Sequence, residues 1–211
     1  APGVTQLFPE GHVINLHPWE HNEVAPCLVA ALNTEVPIVA IHLTRPSIKI
    51  PDRKALKMAH HFEASKGAYI IKDFDENQKK EGVVIVRGTS STNSVIQILP
   101  NLKKNGPNVK IVAAISWELY KRQDKKYREF VLAPNQWKDT MVITNGALKL
   151  MNNWISNPMV KKYSLSPDFD NRWRTGGSLD QIIKESRLDP NSILRGIKKF
   201  AQDRFKRLKD I

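Results

Sequence analysis

Short apolar runs rich in β-branched residues alternate along the chain with polar and amphipathic stretches. Strands are predicted at residues 12–17, 36–43, 68–71, 83–86, 109–115 and 141–144. Continuous apolar runs of this length are typical of strands that are buried on both faces of a sheet. Strands that alternate with helices predict an α/β fold with a mostly parallel, doubly wound sheet.

The stretches between these runs carry signals for helices and their ends. Helices are predicted over residues 22–33, 93–104, 117–131, 147–155 and 190–208. Asn22 is the expected N-cap of the first helix, in whose first turn Pro26 is tolerated. Ser178 to Gln181 has capping-box spacing and predicts one more short helix, while Asp189-Pro190 marks the start of the last.

The first two strands and the helix between them form a predicted βαβ unit. The extended stretch Thr44–Pro51, in which Pro46 and Pro51 bracket four residues, suits a linker or a lid. Residues 52–64 are charged and partly helical in pattern, and residues 73–81 read as a polar surface loop.

Charge is the unusual bulk property, with 33 Lys and Arg against 21 Asp and Glu and a net charge of +12. This balance favours anionic partners, although a solvated helix face explains much of the basic C-terminal region. Trp173, between Arg172 and Arg174, could stack on nucleobases in a nucleic-acid-binding domain. Cys27 is the only cysteine, so no internal disulfide can form and a cytoplasmic location is expected. No leader segment, membrane span or metal-binding motif is seen.

Three loops are candidate sites on residue type and position. Arg45 ends a predicted buried strand, where a guanidinium could hold a phosphate or carboxylate or pair with a neighbouring acid. His17 to Glu23 follows the first strand and mixes acid and base side chains with Trp19, either as a site or as a plain surface loop. Gly88 to Thr92 could hold phosphate, or its hydroxyls could cap the following helix.

Several segments, taken in order, resemble transketolases. They are His17-Pro-Trp-Glu-His-Asn-Glu-Val24, Pro37-Ile-Val-Ala-Ile-His-Leu-Thr-Arg45, Ala64-Ser-Lys-Gly-Ala-Tyr-Ile-Ile-Lys-Asp73, Val83–Thr89, Tyr120–Leu132 and Gly177–Ile193. The first three are similar to the family's R-P-x-D-x-x-E-V segment, its strand ending in L-S-R-Q, and its S-K-G-G-Y-V-L segment. The others resemble its I-x-V-A-T-G-S turn, its F-x-x-Q-x-x-x-Y-R-x-x-V-L helix and its closing pattern.

The resemblance implies a division of the chain and an activity for the parent protein. Residues 1–50 would be the end of a pyrimidine-binding domain, 51–67 a linker, and 68–211 a transketolase-like C-terminal domain. The parent would be a cytoplasmic, dimeric transferase of the pentose phosphate pathway and carbohydrate metabolism. It would move a two-carbon ketol unit between phosphorylated sugars, with thiamine diphosphate and a divalent metal, Mg²⁺ or Ca²⁺.

The resemblance also implies roles for three residues. Arg45 matches the family's arginine for the substrate phosphate, Glu20 matches the aspartate that contacts substrate hydroxyls, and His17 stands where the family has an arginine. Glu20 reaches one methylene further than aspartate, and Pro46 replaces a glutamine.

The family's cofactor-binding segments have no counterpart in this sequence. We therefore expect the chain to supply no catalytic, cofactor or metal ligand and to be inactive alone, as a fragment or subunit of the enzyme. Two alternatives remain at this stage: a non-catalytic interaction or regulatory module that docks on a thiamine-binding subunit, and a basic anion- or nucleic-acid-binding domain.

Overall fold

The computed structural model describes residues 2–45, 47–172, 174 and 176–209. Pro46 and Trp173, used in the sequence interpretation, lie outside the described residues. The strands are β1 (Val13–Leu16), β2 (Ile38–Ile41), β3 (Ala68–Lys72), β4 (Val83–Arg87), β5 (Lys110–Ala114) and β6 (Thr140–Thr144). Each predicted run overlaps one of these strands, and the ends agree to within two residues.

The helices connect and cover these strands. The α-helices are α1 (Pro2–Thr5), α2 (Val24–Leu32), α3 (Thr89–Asn105), α4 (Trp117–Lys121), α5 (Lys125–Val131), α6 (Pro158–Lys161), α7 (Leu179–Glu185), α8 (Pro190–Gln202) and α9 (Arg204–Lys209). Short 3₁₀ helices span His21–Glu23, His61–Lys66, Trp137–Asp139 and Leu148–Trp154. No helix in the described part of the chain is long and apolar enough to cross a membrane.

The strands form two sheets. β1 and β2 pair in parallel with α2 as their crossover, which gives the predicted βαβ unit. The larger sheet has the order β3-β5-β4-β6, in which β4 is parallel to both β5 and β6. β3 is an antiparallel edge strand next to β5. The prediction of a mostly parallel sheet is confirmed.

Alternate side chains of β4 enter two separate apolar clusters. Val84 and Val86 pack in one cluster with residues of α3 and α8, whereas Val83 and Ile85 pack in the other with residues of α4 and α5. All five residues of β4 are buried. Helices therefore cover both faces of the larger sheet, as the continuous apolar runs predicted.

Two predictions about the first βαβ unit were partly wrong. Asn22 is not a cap, because α2 begins two residues later and the Glu20 side chain accepts a hydrogen bond from the Asn22 amide instead. The second strand was expected to be buried, but Ile38 is 40% exposed. Among the described residues β1 is the only strand paired with β2, so no described strand pairs with the other edge of β2.

Several helix bounds also differ from the prediction. α3 starts at Thr89, four residues early, because Gly88 is its N-cap and the Ser/Thr run forms its first turn. The helix predicted over residues 117–131 is broken near Asp124, whose carboxylate caps α5. The last predicted helix is divided at Asp203. The capping box at Ser178 is confirmed.

A tight joint at Gly67 connects the two sheets. The Gly67 carbonyl accepts hydrogen bonds from the amides of Ile115 and Ser116 at 2.9 and 2.8 Å, and the Ile115 carbonyl accepts one from the His17 amide at 2.8 Å. Gly67 has a φ of +86°, and a Cβ there would lie 2.3 Å from the backbone nitrogen of Tyr120. Only glycine fits this position without displacing backbone.

Candidate functional site

The carboxyl ends of β1 and β2 lie at one edge of their parallel sheet, so the loops that follow them meet. Residues 18–21, after β1, and residues 43–45, after β2, line a cavity of about 290 Å³ together with Thr89. Glu20 and Arg45 are therefore walls of one cavity. This is the edge at which open α/β sheets bind ligands.

Arg45 is exposed on this wall. Within the described residues its guanidinium forms no ion pair, so the pairing with a neighbouring acid that the sequence left open is not seen there. An unpaired guanidinium at a cavity wall can take a phosphate or carboxylate in bidentate fashion. The role in substrate binding stays a prediction.

The Glu20 carboxylate differs from the exposed Arg45 guanidinium, because it is buried and forms an ion pair within the protein. The residue is 4% exposed. Its Oε1 lies 2.9 Å from Nε and 2.8 Å from Nη2 of Arg53, and its Oε2 accepts a hydrogen bond of 3.3 Å from the Asn22 amide. Arg53 thus balances the charge of Glu20 within the protein.

Arg53 is the centre of a buried polar network, here called the Arg53 network: Arg53, Glu20, Glu23, Tyr69 and Trp19. Arg53 Nη2 donates to Glu23 Oε1 at 2.6 Å, and the Tyr69 hydroxyl donates to the same oxygen at 2.5 Å. The Trp19 indole N–H in turn donates to the Tyr69 oxygen at 2.7 Å. The network therefore joins the loop after β1, the segment between the sheets, and β3.

Burial dominates the electrostatics of this network. It raises the pKa of Glu23 to about 6, although the Tyr69 hydroxyl and Arg53 both act to lower it. Burial, followed by the negative charge of Glu23, raises the pKa of Tyr69 well above its usual range. Tyr69 consequently stays protonated and serves Glu23 as a hydrogen-bond donor.

His17 lies at a different place from Glu20 and Arg45. It lines a small cavity of about 20 Å³ with Arg87 and Glu118, and its ring stacks on His42 with 4.4 Å between centroids. Its Nε2 is buried and has no hydrogen-bond partner among the described residues. Burial, then the charge of Arg87 and of His42, lowers the pKa of His17 well below its usual range.

A second, larger cavity opens at the start of α3. It has about 460 Å³ and lies between Thr89 and Ser90 of α3, Asn145 after β6, and the end of α7. Gly88, the N-cap, provides no side-chain hydrogen bond to the helix, so the interpretation that hydroxyls cap α3 was wrong. The phosphate-binding hypothesis for this turn remains a prediction.

The part of the chain that the structure describes contains no cluster of potential metal ligands. No set of three or more His, Cys, Asp or Glu residues there could hold a metal ion. The suggested stacking role of Trp173 lies outside the described residues.

The fold agrees with comparisons to known proteins. The sequence profile of the transketolase-like TK C-terminal domain matches residues 67–164. Transketolase 7 of Craterostigma plantagineum is 32% identical over 125 residues, which are 57% of this chain and 17% of that protein. The transketolase of Aquifex aeolicus is 31% identical over 142 residues, which are 66% of this chain and 20% of that protein.

Solved structures share the architecture along almost the whole chain. A transketolase variant from Pichia stipitis in complex with fructose 6-phosphate aligns with a TM-score of 0.67 at 18% identity, covering 95% of this chain and 26% of that chain. The transketolase of Leishmania mexicana aligns with a TM-score of 0.64 at 14% identity, covering 96% of this chain and 27% of that chain. At these identities the likeness shows the fold.

These observations define an α/β chain with a transketolase-like C-terminal domain. Residues 67–164 match this domain, and the chain is similar in sequence and fold to the C-terminal part of transketolases. It spans only about a quarter of the solved transketolase chains it matches.

Proposed function

We propose that this chain is the C-terminal part, or a C-terminal subunit, of a thiamine-diphosphate-dependent transketolase in the cytoplasm. The parent enzyme moves a two-carbon ketol unit between phosphorylated sugars. The family match of residues 67–164, with the unpaired guanidinium of Arg45 on a cavity wall, carries the proposal. The role of Arg45 is to hold the sugar phosphate, because a guanidinium matches the geometry of phosphate oxygens.

Glu20 has a supporting role in this proposal. Since its carboxylate is held by Arg53 at 2.8 Å, it accepts substrate hydroxyl hydrogen bonds only through lone pairs that Arg53 leaves open. His17 lines the separate cavity of about 20 Å³ together with Arg87. Its role in substrate binding is to position the loop that carries Glu20. The cofactor supplies the carbon–carbon bond chemistry when it is bound elsewhere in the parent enzyme.

The proposed domain division gives residues 1–50 to the end of a pyrimidine-binding domain, 51–67 to a linker and 68–211 to the C-terminal domain. The edge of β2 that pairs with no described strand supports it, because a two-stranded sheet is only marginally stable by itself. Val29 and Leu32 of α2 and Leu43 after β2 are 57%, 65% and 61% exposed, respectively. Such an apolar surface suits contact with the rest of the enzyme, as one dimer subunit or as a larger thiamine-binding chain.

Two experiments test the proposal. Purified chain with thiamine diphosphate, Mg²⁺ and sugar phosphates is expected to show no ketol transfer in a coupled assay, because the cofactor-binding segments are not in its sequence. Ketol transfer by this polypeptide without added protein would contradict that expectation. The intact mass of the naturally expressed polypeptide then separates a fragment of a longer enzyme from a separate subunit.

The role of Arg45 has its own test. We expect fructose 6-phosphate, but not fructose, to shift NMR resonances around the cavity of Arg45, and Arg45→Gln to weaken this binding by about tenfold or more. Lys49→Gln is the matched control, since Lys49 is an exposed cation that does not line the cavity. Equal weakening by both variants would reveal general charge attraction and refute the site.

A further inference from the structure

The cavity of about 460 Å³ at the start of α3 has the size of a small-molecule site. It lies at the carboxyl ends of β4 and β6, beside the cavity of Arg45, with which it shares only Thr44, Ile48 and Thr89 as wall residues. The position is that of ligand sites in open α/β sheets. Nothing in the role proposed for Arg45 uses this second cavity.

The polar end of the cavity is rich in hydrogen-bond donors. α3 has 17 residues, its N-cap Gly88 makes no side-chain cap, and its first turn contains no acidic residue. Its first amides therefore lack intrahelical acceptors, and the positive end of the helix dipole is not neutralised by a nearby acid. A Cβ on Gly88 would lie 1.8 Å from the Asn145 side-chain oxygen, so this glycine lets Asn145 pack against the turn.

An independent feature points to a ligand at the same place. Ser186 lines the cavity and is only 3% exposed, yet its hydroxyl has no hydrogen-bond partner among the described residues. Buried hydroxyls are almost always hydrogen-bonded, because leaving one unpaired costs about 1–3 kcal/mol. A ligand that accepts a hydrogen bond in the cavity would satisfy it.

The remaining wall indicates the chemistry of the occupant. Leu179, Ile182, Ile183 and Leu188 give the cavity an apolar side. Arg172, whose side chain is 68% exposed, adds a guanidinium at the rim, where it pairs with Asp170 at 2.9 Å.

The acid and the second cation of the wall are already engaged within the protein. The Asp168 carboxylate accepts from the Leu148 amide at 3.1 Å. Arg174 is held by Asp170 at 2.5 Å and by the Pro167 carbonyl. The free donors of α3 and Ser186 therefore determine what the polar end selects.

We propose that this cavity binds a small phosphorylated molecule with an apolar body, at a site separate from that of Arg45. The phosphate sits at the amides of Thr89 and Ser90 and accepts from Ser186, and the apolar body lies against α7. The site goes beyond the proposed function, because it does not require ketol transfer and because Ser90, Ser186 and the residues of α7 do not line the Arg45 cavity.

The test is a titration of the ¹⁵N-labelled chain with phenyl phosphate, which combines the two features, in phosphate-free buffer. We expect saturable shifts at amides of residues 89–92 and 182–188, with at least about tenfold tighter binding than inorganic phosphate or phenol. Ser186→Ala is expected to weaken binding about tenfold, because it removes a hydrogen bond to a charged group. Since the lost hydroxyl has no hydrogen-bond partner among the residues that the structure describes, the variant should fold as the natural chain does.

Two control variants make the result specific. Ser91→Ala removes another buried hydroxyl that has no partner among the described residues and that is not on the cavity wall, and it should leave affinity within about twofold. Arg45→Gln removes phosphate binding at the Arg45 cavity, and it should leave the titration midpoint of the amides of residues 182–188 unchanged. Absence of saturable shifts, equal affinity of Ser186→Ala and the natural chain, or loss of binding in Arg45→Gln would each overturn the proposal.

Discussion

Replacing Arg53 by methionine tests how the Arg53 network stabilises the fold. The substitution keeps the length of the side chain but leaves the buried carboxylates of Glu20 and Glu23 without their shared cation. Removing one partner of a buried ion pair costs about 3–5 kcal/mol. We therefore expect the free energy of unfolding at pH 7 to fall by about that amount, a large part of the total stability of an ordinary domain.

The loss in the free energy of unfolding should depend on pH, because Glu23 titrates in the range that is measured. Even with Arg53 present, burial raises the pKa of Glu23 from 4.5 to about 6. At about 1.4 kcal/mol per pKa unit this corresponds to about 2 kcal/mol against the ionised form. A group whose pKa is higher in the folded than in the unfolded state stabilises the fold at pH values below its unfolded-state pKa. This stabilisation is lost as the pH rises through its folded-state pKa. The deficit of Arg53→Met should consequently be smallest near pH 4.5 and grow toward pH 8.

Urea unfolding followed by far-UV circular dichroism from pH 4.5 to 8 measures the deficit. Lys54→Met is the matched control, since Lys54 is the exposed neighbouring cation and its loss should change stability by less than about 0.5 kcal/mol. Adding Glu20→Gln and Glu23→Gln to Arg53→Met should restore much of the stability at pH 7. A deficit equal to that of Lys54→Met, or one that does not depend on pH, would refute the reasoning.

Two further predictions concern the joints around the sheets. Gly67→Ala should lower the free energy of unfolding by about 3 kcal/mol or more, because its Cβ would meet the Tyr120 backbone at 2.3 Å. Gly11→Ala, at a similar φ of +88° but with open space around it, should lose only about 1 kcal/mol in the same thermal and urea melts, and equal losses would contradict the clash. Because the pKa of His17 is lowered in the folded state, neutral His17 should stabilise the fold fully above about pH 6.5 and progressively less below it. His17→Phe should therefore flatten the acid side of a stability–pH profile, and an unchanged profile would rule this out.

The strands of the larger sheet could be predicted because burial on both faces makes them continuous apolar runs. The direction of β3 could not, since nothing in Ala68–Lys72 distinguishes an antiparallel edge strand from a parallel one. The start of α3 was missed because Ser and Thr usually mark caps, whereas here Gly88 takes that position. In each of these cases tertiary contacts, rather than local preference, decide the outcome.

The candidate site, like the fold, could be predicted from the sequence only in part. The meeting of Glu20 and Arg45 at one cavity follows from the βαβ rule, because parallel strands end at the same edge. Arg53 was missed, since it lies in a charged stretch with no recognisable pattern and its carboxylate partners precede it by 30 residues or more. The burial of the Ser186 hydroxyl without a hydrogen-bond partner in the described part of the chain has no sequence signal.

The Arg53 network has a consequence for how the chain unfolds. Residues 51–67 look like a boundary, yet one arginine in them is bonded to residues on both sides. Local unfolding of this segment would leave the buried carboxylates of Glu20 and Glu23 without Arg53 as their counter-ion. The segment should therefore unfold only together with the two sheets that it connects. We expect one cooperative unfolding transition for the two sheets, and slow proteolysis in a stretch that contains no strand. A cut between Arg53 and Tyr69 would place the two residues on separate polypeptides, and neither part would keep the stability that the two have together.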